Sequence, residues 1–192
     1  VIYETGVVIP PYETYHRFQH EQMQHEKKLW GSAALTIDQG EVSSLRSIEN
    51  INDIDANDHI IRSADVCIVF GTRKISKGLI GSLPKLTANL HGGDPEFYRG
   101  LDSHLWSIWH EDKRGLKTCL HVVEPSLDTG EIIGIEELDL KSVNFLHELR
   151  ALNTEACLKL SKSFLDKVDR NSELQMRQQT IRGRYYSFMP SG

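Results

Sequence analysis

A strand–helix–strand pattern in the middle of the chain most limits the folds open to it. Val66–Phe70 is a continuous apolar run that stops at Gly71, as is typical of a central parallel strand buried on both faces. A helix is predicted over 76–83, where Pro84 ends it, and a second strand over 86–90. This order is a βαβ unit with a right-handed crossover. We therefore expect an α/β protein with a Rossmann-like, mostly parallel sheet and helices on both faces.

Polar residues gather where the second strand should end. Asn89 and His91 are two apart, so in an extended chain their side chains leave on the same face. Gly92 then breaks the strand, which places the pair at its carboxyl end, where open α/β sheets bind their ligands. Asp128 lies in a turn between two apolar runs. An amide, an imidazole and a carboxylate meeting there could move protons around a carbonyl carbon.

Four motifs occur in an order and at a spacing that match a known family. They are Asn89-Leu90-His91-Gly92, Tyr98-Arg99-Gly100, Trp106-Ser107-Ile108 and Leu127-Asp128-Thr129-Gly130-Glu131-Ile132-Ile133. The stretch that holds them resembles the catalytic part of the formyltransferases that use 10-formyltetrahydrofolate. This family includes methionyl-tRNA formyltransferase, glycinamide ribonucleotide formyltransferase and the amino-sugar N-formyltransferases. The similarity is dense over 65–133 and thinner elsewhere.

The resemblance implies a role for each matching position. It assigns the catalytic residues to Asn89, His91 and Asp128. It assigns contacts with the folate co-substrate to Phe70, Gly71, Arg73, Lys74, Ile75 and Leu127, and contacts with the acceptor to Gly93, Asp94 and Tyr98. Several positions have a structural alternative, since Phe70 could be core, Arg73 and Lys74 could be solvated, and Asp94 could cap its own turn. The segment 93–97 departs from the family's commoner Ser-Leu-Leu-Pro, which bears on the acceptor more than on the chemistry.

The chemistry implied is transfer of a formyl group to an uncharged amine. Attack on the formyl carbon places negative charge on oxygen, and Asn89 together with a protonated His91 can donate hydrogen bonds to that oxygen. Asp128 can orient His91 and stabilise its charged form, or shuttle a proton through water to the leaving nitrogen. The structural alternatives are that Asn89 is a cap, His91 bonds a loop carbonyl and Asp128 forms an Asx turn.

The acceptor is a separate question. Our first expectation is a nucleotide-linked 4-amino-dideoxysugar, as in O-antigen building. Methionyl-tRNA and glycinamide ribonucleotide remain alternatives, and a formyltetrahydrofolate hydrolase would use the same residues with water as the acceptor. A non-catalytic alternative is a module that only binds folate or a nucleotide.

Composition sets the remaining limits. The 192 residues carry a formal net charge of −5, which argues mildly against nucleic acid as the main partner. No apolar run approaches a membrane span, and no signal peptide opens the chain. The three cysteines lie in apolar stretches, so reduced thiols and a cytoplasmic location are expected, with a homodimer as a possibility.

The outer parts of the chain are less informative. Residues 11–30 predict a polar helix, on which His16 and His20 are one turn apart; we favour a solvated face and predict no metal. A short strand or helix end is expected over 35–37. The resemblance implies a first strand and helix before the start of this sequence. Residues 1–168 are predicted to form the catalytic domain and 169–192 a linker or the start of a C-terminal segment.

Three caps are also predicted from the sequence. Asp53 or Asp55 should cap a short helix that runs through Ile60 and Ile61, and Asp102 or Ser103 should cap a helix carrying Trp106 and Trp109. Ser142 should cap a long amphipathic helix that covers one face of the sheet.

Overall fold

A mixed four-stranded sheet and one long helix organise the chain. The computed structural model describes residues 1–31 and 44–191, so the element predicted over 35–37 lies outside the described residues. The strands are β1 (Ile2–Glu4), β2 (Arg46–Ile48), β3 (Val66–Phe70), β4 (Leu86–His91), β5 (Tyr98–Gly100), β6 (Lys117–Val122), β7 (Ile132–Glu137) and β8 (Arg184–Tyr186). The helices are α1 (Phe18–Trp30), α2 (His59–Ser63), α3 (Lys77–Ile80), α4 (Ser103–Trp109) and α5 (Leu149–Asp169).

The central sheet has the strand order β3-β4-β6-β7. Strands β3 and β4 are parallel, whereas β6 is antiparallel to both of its neighbours, so β3, β4 and β7 run in one direction. The predicted α/β class is confirmed, with β3, α3 and β4 forming the expected unit. The prediction that β3 is buried on both faces is wrong, because within the described part of the chain β3 pairs with β4 alone and only Val69 in it is buried.

The two faces of β4 have different neighbours. Ala88 and Leu90 pack with Leu120 of β6 against Cys157 and Phe164 of α5. Since side chains alternate along a strand, Asn89 and His91 lie on the opposite face of β4. Helix α5 thus covers one face of the sheet, as predicted, and the other face is left for the polar pair.

A second apolar cluster supports β3 from the side of the short parallel pair β1–β2. It holds Ile54, Ile61, Val69, Ile75 and Leu79, with Ile2 and Ile48 of β1 and β2 packed on it. Helix α2 begins after Asp58, whose carboxylate accepts the amide of Ile60. The predicted cap at Asp53 or Asp55 is therefore wrong.

Two further helix starts differ from the sequence prediction. Helix α5 begins at Leu149 rather than after Ser142, because the Glu148 carboxylate accepts the amides of Asn144 and Phe145 and ends the preceding loop. Asp102 stands at the cap position of α4, as predicted, but its carboxylate accepts the amide of Met189 instead of capping the helix.

The last residues fold back onto the rest of the chain. Strand β8 pairs in parallel with β5, and Arg177 forms a bridge with Ile132 at the start of β7. Glu96 accepts hydrogen bonds from Arg177 and from both the amide and the hydroxyl of Thr180. The prediction of a linker did not anticipate this packing, while the domain boundary at residue 168 stays a prediction.

Candidate active site

Strand pairing brings three polar residues and a cysteine together on the face of the sheet away from α5. In the antiparallel pair β4–β6, His121 lies opposite Asn89 and Cys119 opposite His91. On β6, Thr118 bonds to Asn153 of α5. Cys119 and His121 must therefore point to the other face, with Asn89 and His91. The alternation predicted for Asn89 and His91 is confirmed, and His91 is the last residue of β4.

His91 sits between two acceptors. Its Nδ1 lies 3.7 Å from Asp128 Oδ2, and its Nε2 lies 2.8 Å from the Tyr98 carbonyl oxygen. Both His91 and Asp128 are buried, at 6% and 8% exposure. The imidazole and the carboxylate therefore share one water-poor site, as the spacing of the motifs implied.

Asp128 is held in place by its own loop and by β5. Its backbone is left-handed, with φ 53, a conformation that Asp and Asn tolerate better than most residues. Its Oδ2 accepts the Gly100 amide at 2.7 Å. Gln179, from the C-terminal segment, donates to the carbonyl oxygens of Asp128 and Gly130. The Gly100 amide thus orients the carboxylate, while Gln179 fixes the backbone that carries it.

His121 of β6 completes the cluster, and no motif in the sequence pointed to it. Its Nδ1 is 2.9 Å from the Val122 carbonyl oxygen, so a hydrogen at Nδ1 is donated there. Its Nε2 is 3.2 Å from Asn89 Nδ2 and 3.3 Å from Asp128 Oδ1. A neutral His121 accepts from Asn89, and a protonated one donates to Asp128. A local sequence pattern does not show the register that sets His121 beside Asn89.

Both His91 and Asp128 have lowered pKa values, for different physical reasons. Burial lowers the pKa of His91 below its ordinary value, although the Asp128 carboxylate and the Tyr98 carbonyl act to raise it. Burial alone would raise the pKa of Asp128, but the hydrogen bond from His121, the charge of His91 and the Gly100 amide outweigh it and lower the pKa to about 2. Asp128 is therefore ionised at neutral pH, while His91 favours its neutral form until a proton is delivered.

These positions define what the site can do with a proton. A neutral His91 that donates from Nε2 to Tyr98 leaves Nδ1 bare and facing Asp128. When His91 takes up a proton, Nδ1 becomes a donor directed at the carboxylate, so the charged imidazole is stabilised. The arrangement suits a group that accepts a proton during a reaction and then releases it.

A cavity of about 230 Å³ lies beside the Asp128 loop. Its lining includes Leu127 and Lys74, two of the predicted folate contacts, which reach it from different loops. The other lining residues are Arg99, Ser126, Arg182 and Tyr185. Arg99 is held by the Gly183 and Leu127 carbonyl oxygens. Three cations thus face one opening, which favours a ligand that carries negative charge.

The other predicted folate contacts lie outside this lining. Phe70 is 55% exposed, so it is not core, and Gly71 next to it has φ 63. Arg73 forms an ion pair with Glu4 of β1. Ile75 is buried in the apolar cluster around Val69. Arg73 and Ile75 are therefore committed to the fold, and their contact with folate stays a prediction.

The three predicted acceptor contacts are all enclosed. Gly93 has no room for a side chain, since a Cβ there would lie 2.8 Å from His91 Nε2. Asp94 accepts its own turn's Glu96 amide and pairs with Lys117 at 3.2 Å, which matches the structural alternative that the sequence left open. Tyr98 is 4% exposed and donates its hydroxyl to Asp112. Their contact with an acceptor stays a prediction.

Comparison with solved structures shows which fold this is. The chain is similar to the formyltransferase PseJ from Anoxybacillus kamchatkensis, at 18% identity and TM-score 0.58, over 92% of this chain and 83% of that one. A 4-N formyltransferase from Francisella tularensis matches at 21% identity and TM-score 0.60, over 88% of this chain and 62% of that one. Methionyl-tRNA formyltransferase from Clostridium thermocellum matches at 15% identity and TM-score 0.54, over 93% of this chain and 71% of that one.

These likenesses show that the chain has the formyltransferase fold, as the resemblance implied. Neither a protein-family model nor a curated protein matches the sequence. Among residues 1–31 and 44–191, no helix combines the length and the apolar character needed to cross a membrane.

Proposed function

We propose that this protein transfers a formyl group from 10-formyltetrahydrofolate to a primary amine. The observation that carries the proposal is the convergence of His91 and Asp128, whose facing atoms are 3.7 Å apart, at the buried end of β4. Asn89, two residues earlier, joins the same cluster through His121. The formyltransferase fold supports the same conclusion, because this is the end of the sheet where α/β proteins bind their ligands.

The reaction needs one proton to move between two nitrogens. The uncharged amine attacks the formyl carbon, and the carbonyl electrons pass to oxygen. The intermediate collapses as the bond to N10 of the folate breaks, and the amine's proton goes to N10. Asn89 is assigned to the oxyanion. His91, backed by Asp128, is assigned to the oxyanion and the proton, for which its Nε2–H must exchange the Tyr98 carbonyl for the substrate. Tetrahydrofolate and the formamide are the products.

The cavity lined by Lys74 and Leu127 is the proposed folate site. A volume of about 230 Å³ holds only part of a folate. The co-substrate ends in carboxylates, and Arg99 and Arg182 supply the charge to bind an anionic group there. The Anoxybacillus formyltransferase was solved with tetrahydrofolate, which supports a folate co-substrate for a chain of the same fold.

The proposed acceptor is the amino group of a nucleotide-linked 4-amino-dideoxysugar, a building block of the O-antigen type. The Anoxybacillus structure holds a UDP-linked 4-formamido sugar. The net charge of −5 also disfavours a nucleic-acid acceptor. Methionyl-tRNA stays the second candidate, because a methionyl-tRNA formyltransferase matches over 93% of this chain.

Location and assembly belong to the same proposal. Cys67, Cys119 and Cys157 all carry free thiols, which fits the reducing cytoplasm where we place the reaction. A homodimer is the proposed assembly; light scattering on the full chain distinguishes it from a monomer.

A panel of acceptors tests the function. The chain is incubated with radiolabelled 10-formyltetrahydrofolate and UDP-, dTDP- or GDP-linked 4-amino sugars, glycinamide ribonucleotide or methionyl-tRNA. Label in an amino sugar supports the proposal in full, and label in another amine supports only the transfer. Formate released without an acceptor would favour the hydrolase. Tetrahydrofolate binding with no turnover would favour a binding module and contradict the proposal.

A further inference from the structure

A second cluster of possible ligands lies away from β4, where helix α1 meets the start of helix α5. It consists of His25 on α1 and of His147 and Glu148 in the turn before α5. One ligand atom from each residue lies within 4.8 Å of the other two. The sequence drew attention to His16 and His20 instead, but in the structure His20 bonds to Gln24.

We propose that His25, His147 and Glu148 form a zinc site that clamps helix α1 to the start of helix α5. Two imidazoles and one carboxylate are a common set of protein ligands for this ion, with water in the fourth position. Ligand atoms around tetrahedral zinc lie roughly 3.3 Å apart, as bonds of about 2.0–2.1 Å require. The three ligand atoms lie within 4.8 Å of one another, so zinc binding requires them to approach by up to roughly 1.5 Å.

The carboxylate is already fixed in position. Glu148 Oε2 accepts the amides of Asn144 at 2.7 Å and Phe145 at 3.0 Å. A carboxylate has lone pairs on both oxygens, so these bonds leave capacity for a metal. Pre-ordering of this kind is what hydrogen bonds around metal ligands provide.

The helices that the ion would join are also linked beside it. Arg150, on the first turn of α5, forms an ion pair with Glu26 of α1, next in sequence to His25. The rings of His25 and His147 lie with centroids 5.7 Å apart. Zinc would add a strong link to an interface whose ion pair is half exposed and so contributes little by itself.

The competing explanation is a proton in place of the metal. The amides of Asn144 and Phe145, followed by the charges of His147 and His25, lower the pKa of the Glu148 carboxyl. A carboxylate beside an imidazolium would account for the same geometry. Binding of the metal itself separates the two explanations.

The test uses the full chain, stripped with EDTA and titrated with zinc chloride. We expect one bound zinc that Mg²⁺ does not displace, because Mg²⁺ prefers oxygen ligands. At about a hundredfold excess over Kd, the melting temperature should rise by roughly 5 to 10 °C. Cobalt in place of zinc should give the visible absorption of a four-coordinate site. Absence of a zinc-dependent shift in the unmodified chain would overturn the proposal.

Matched variants assign the binding to these residues. His25→Ala and His147→Ala should each weaken zinc binding at least about tenfold, whereas His20→Ala on the same helix should leave it unchanged. Glu148→Gln keeps an oxygen for the two amides and should also weaken binding, so it carries the test if an alanine variant fails to fold. Equal zinc affinity in Glu148→Gln and the unmodified chain would place the metal elsewhere.

Discussion

Glu96 holds the C-terminal segment against the loop that follows β4, and its removal should destabilise the protein in a pH-dependent way. One oxygen accepts the amide and hydroxyl of Thr180, at 2.6 and 2.8 Å, and the other pairs with Arg177 at 2.7 Å. The pair with Arg177, which outweighs the cost of burial, and the bonds from Thr180 lower the pKa of Glu96 from 4.5 to about 2. Glu96→Gln keeps the shape of the side chain but removes the charge.

The size of the stabilisation follows from the pKa of Glu96 in the folded chain compared with its pKa in the unfolded chain. Because the folded pKa is depressed, the stabilisation is present above pH 4.5 and is lost as the pH falls toward about 2. Between pH 7 and pH 3, the stabilisation by the Glu96 carboxylate would fall by about 2 kcal/mol. The Arg177 side chain is 49% exposed, so solvent screens part of the attraction. We therefore expect about 1 kcal/mol.

Urea unfolding at pH 7 and pH 3 measures this difference. Tryptophan fluorescence is a suitable signal, because Trp106, one of three tryptophans, stacks on Tyr186 of the C-terminal segment. The gap in unfolding free energy between the unmodified chain and Glu96→Gln should shrink by about 1 kcal/mol from pH 7 to pH 3. Glu137→Gln, at an acid that is 83% exposed, should show no such change. An equal gap for Glu96→Gln at both pH values would refute the reasoning.

Two further substitutions test the surroundings of the site. Gly100→Ala should lower the melting temperature by at least about 4 °C, because φ is 93 and a Cβ would lie 2.1 Å from the Tyr186 carbonyl oxygen. Gly78→Ala is the control and should not lower it, because a Cβ there enters open space. Calorimetry compares the two variants. His121→Phe should raise the pKa of Asp128 by roughly 1 to 2, since a hydrogen bond to a charged group is lost. An NMR titration of the Asp128 carboxyl measures this shift, and an unchanged pKa would count against the contact.

Local patterns in the sequence predicted the elements that carry the site. Some signals fix the structure of only a few neighbouring residues. They are the apolar run of β3, the proline after α3 and the glycines after His91, and from them the strand–helix–strand unit and the end of β4 could be located. The start of α5 was placed too early, at Ser142 instead of Leu149. The Glu148 carboxylate, six residues after Ser142, accepts the amides of Asn144 and Phe145 and holds the chain in a loop there.

Long-range pairing could not be obtained in this way. The register that sets His121 opposite Asn89 depends on how β4 and β6 align across a connection that contains β5 and α4. The burial of Asp94 depends on Lys117, far along the chain. Strand β8 pairs with β5 across more than eighty residues of sequence, and no local sequence pattern predicts this pairing. The resemblance supplied the Asn89, His91 and Asp128 set, but the contacts around that set required the structure.

The central claim is that His91 and Asp128 act together on a formyl group. The most direct measurement is formyl transfer by His91→Ala at saturating 10-formyltetrahydrofolate and acceptor, alongside the Kd for tetrahydrofolate. We predict a fall in kcat of at least about a hundredfold, as for loss of one oxyanion donor, with a Kd within about tenfold of the unmodified chain. Near-normal turnover in this variant would contradict the account.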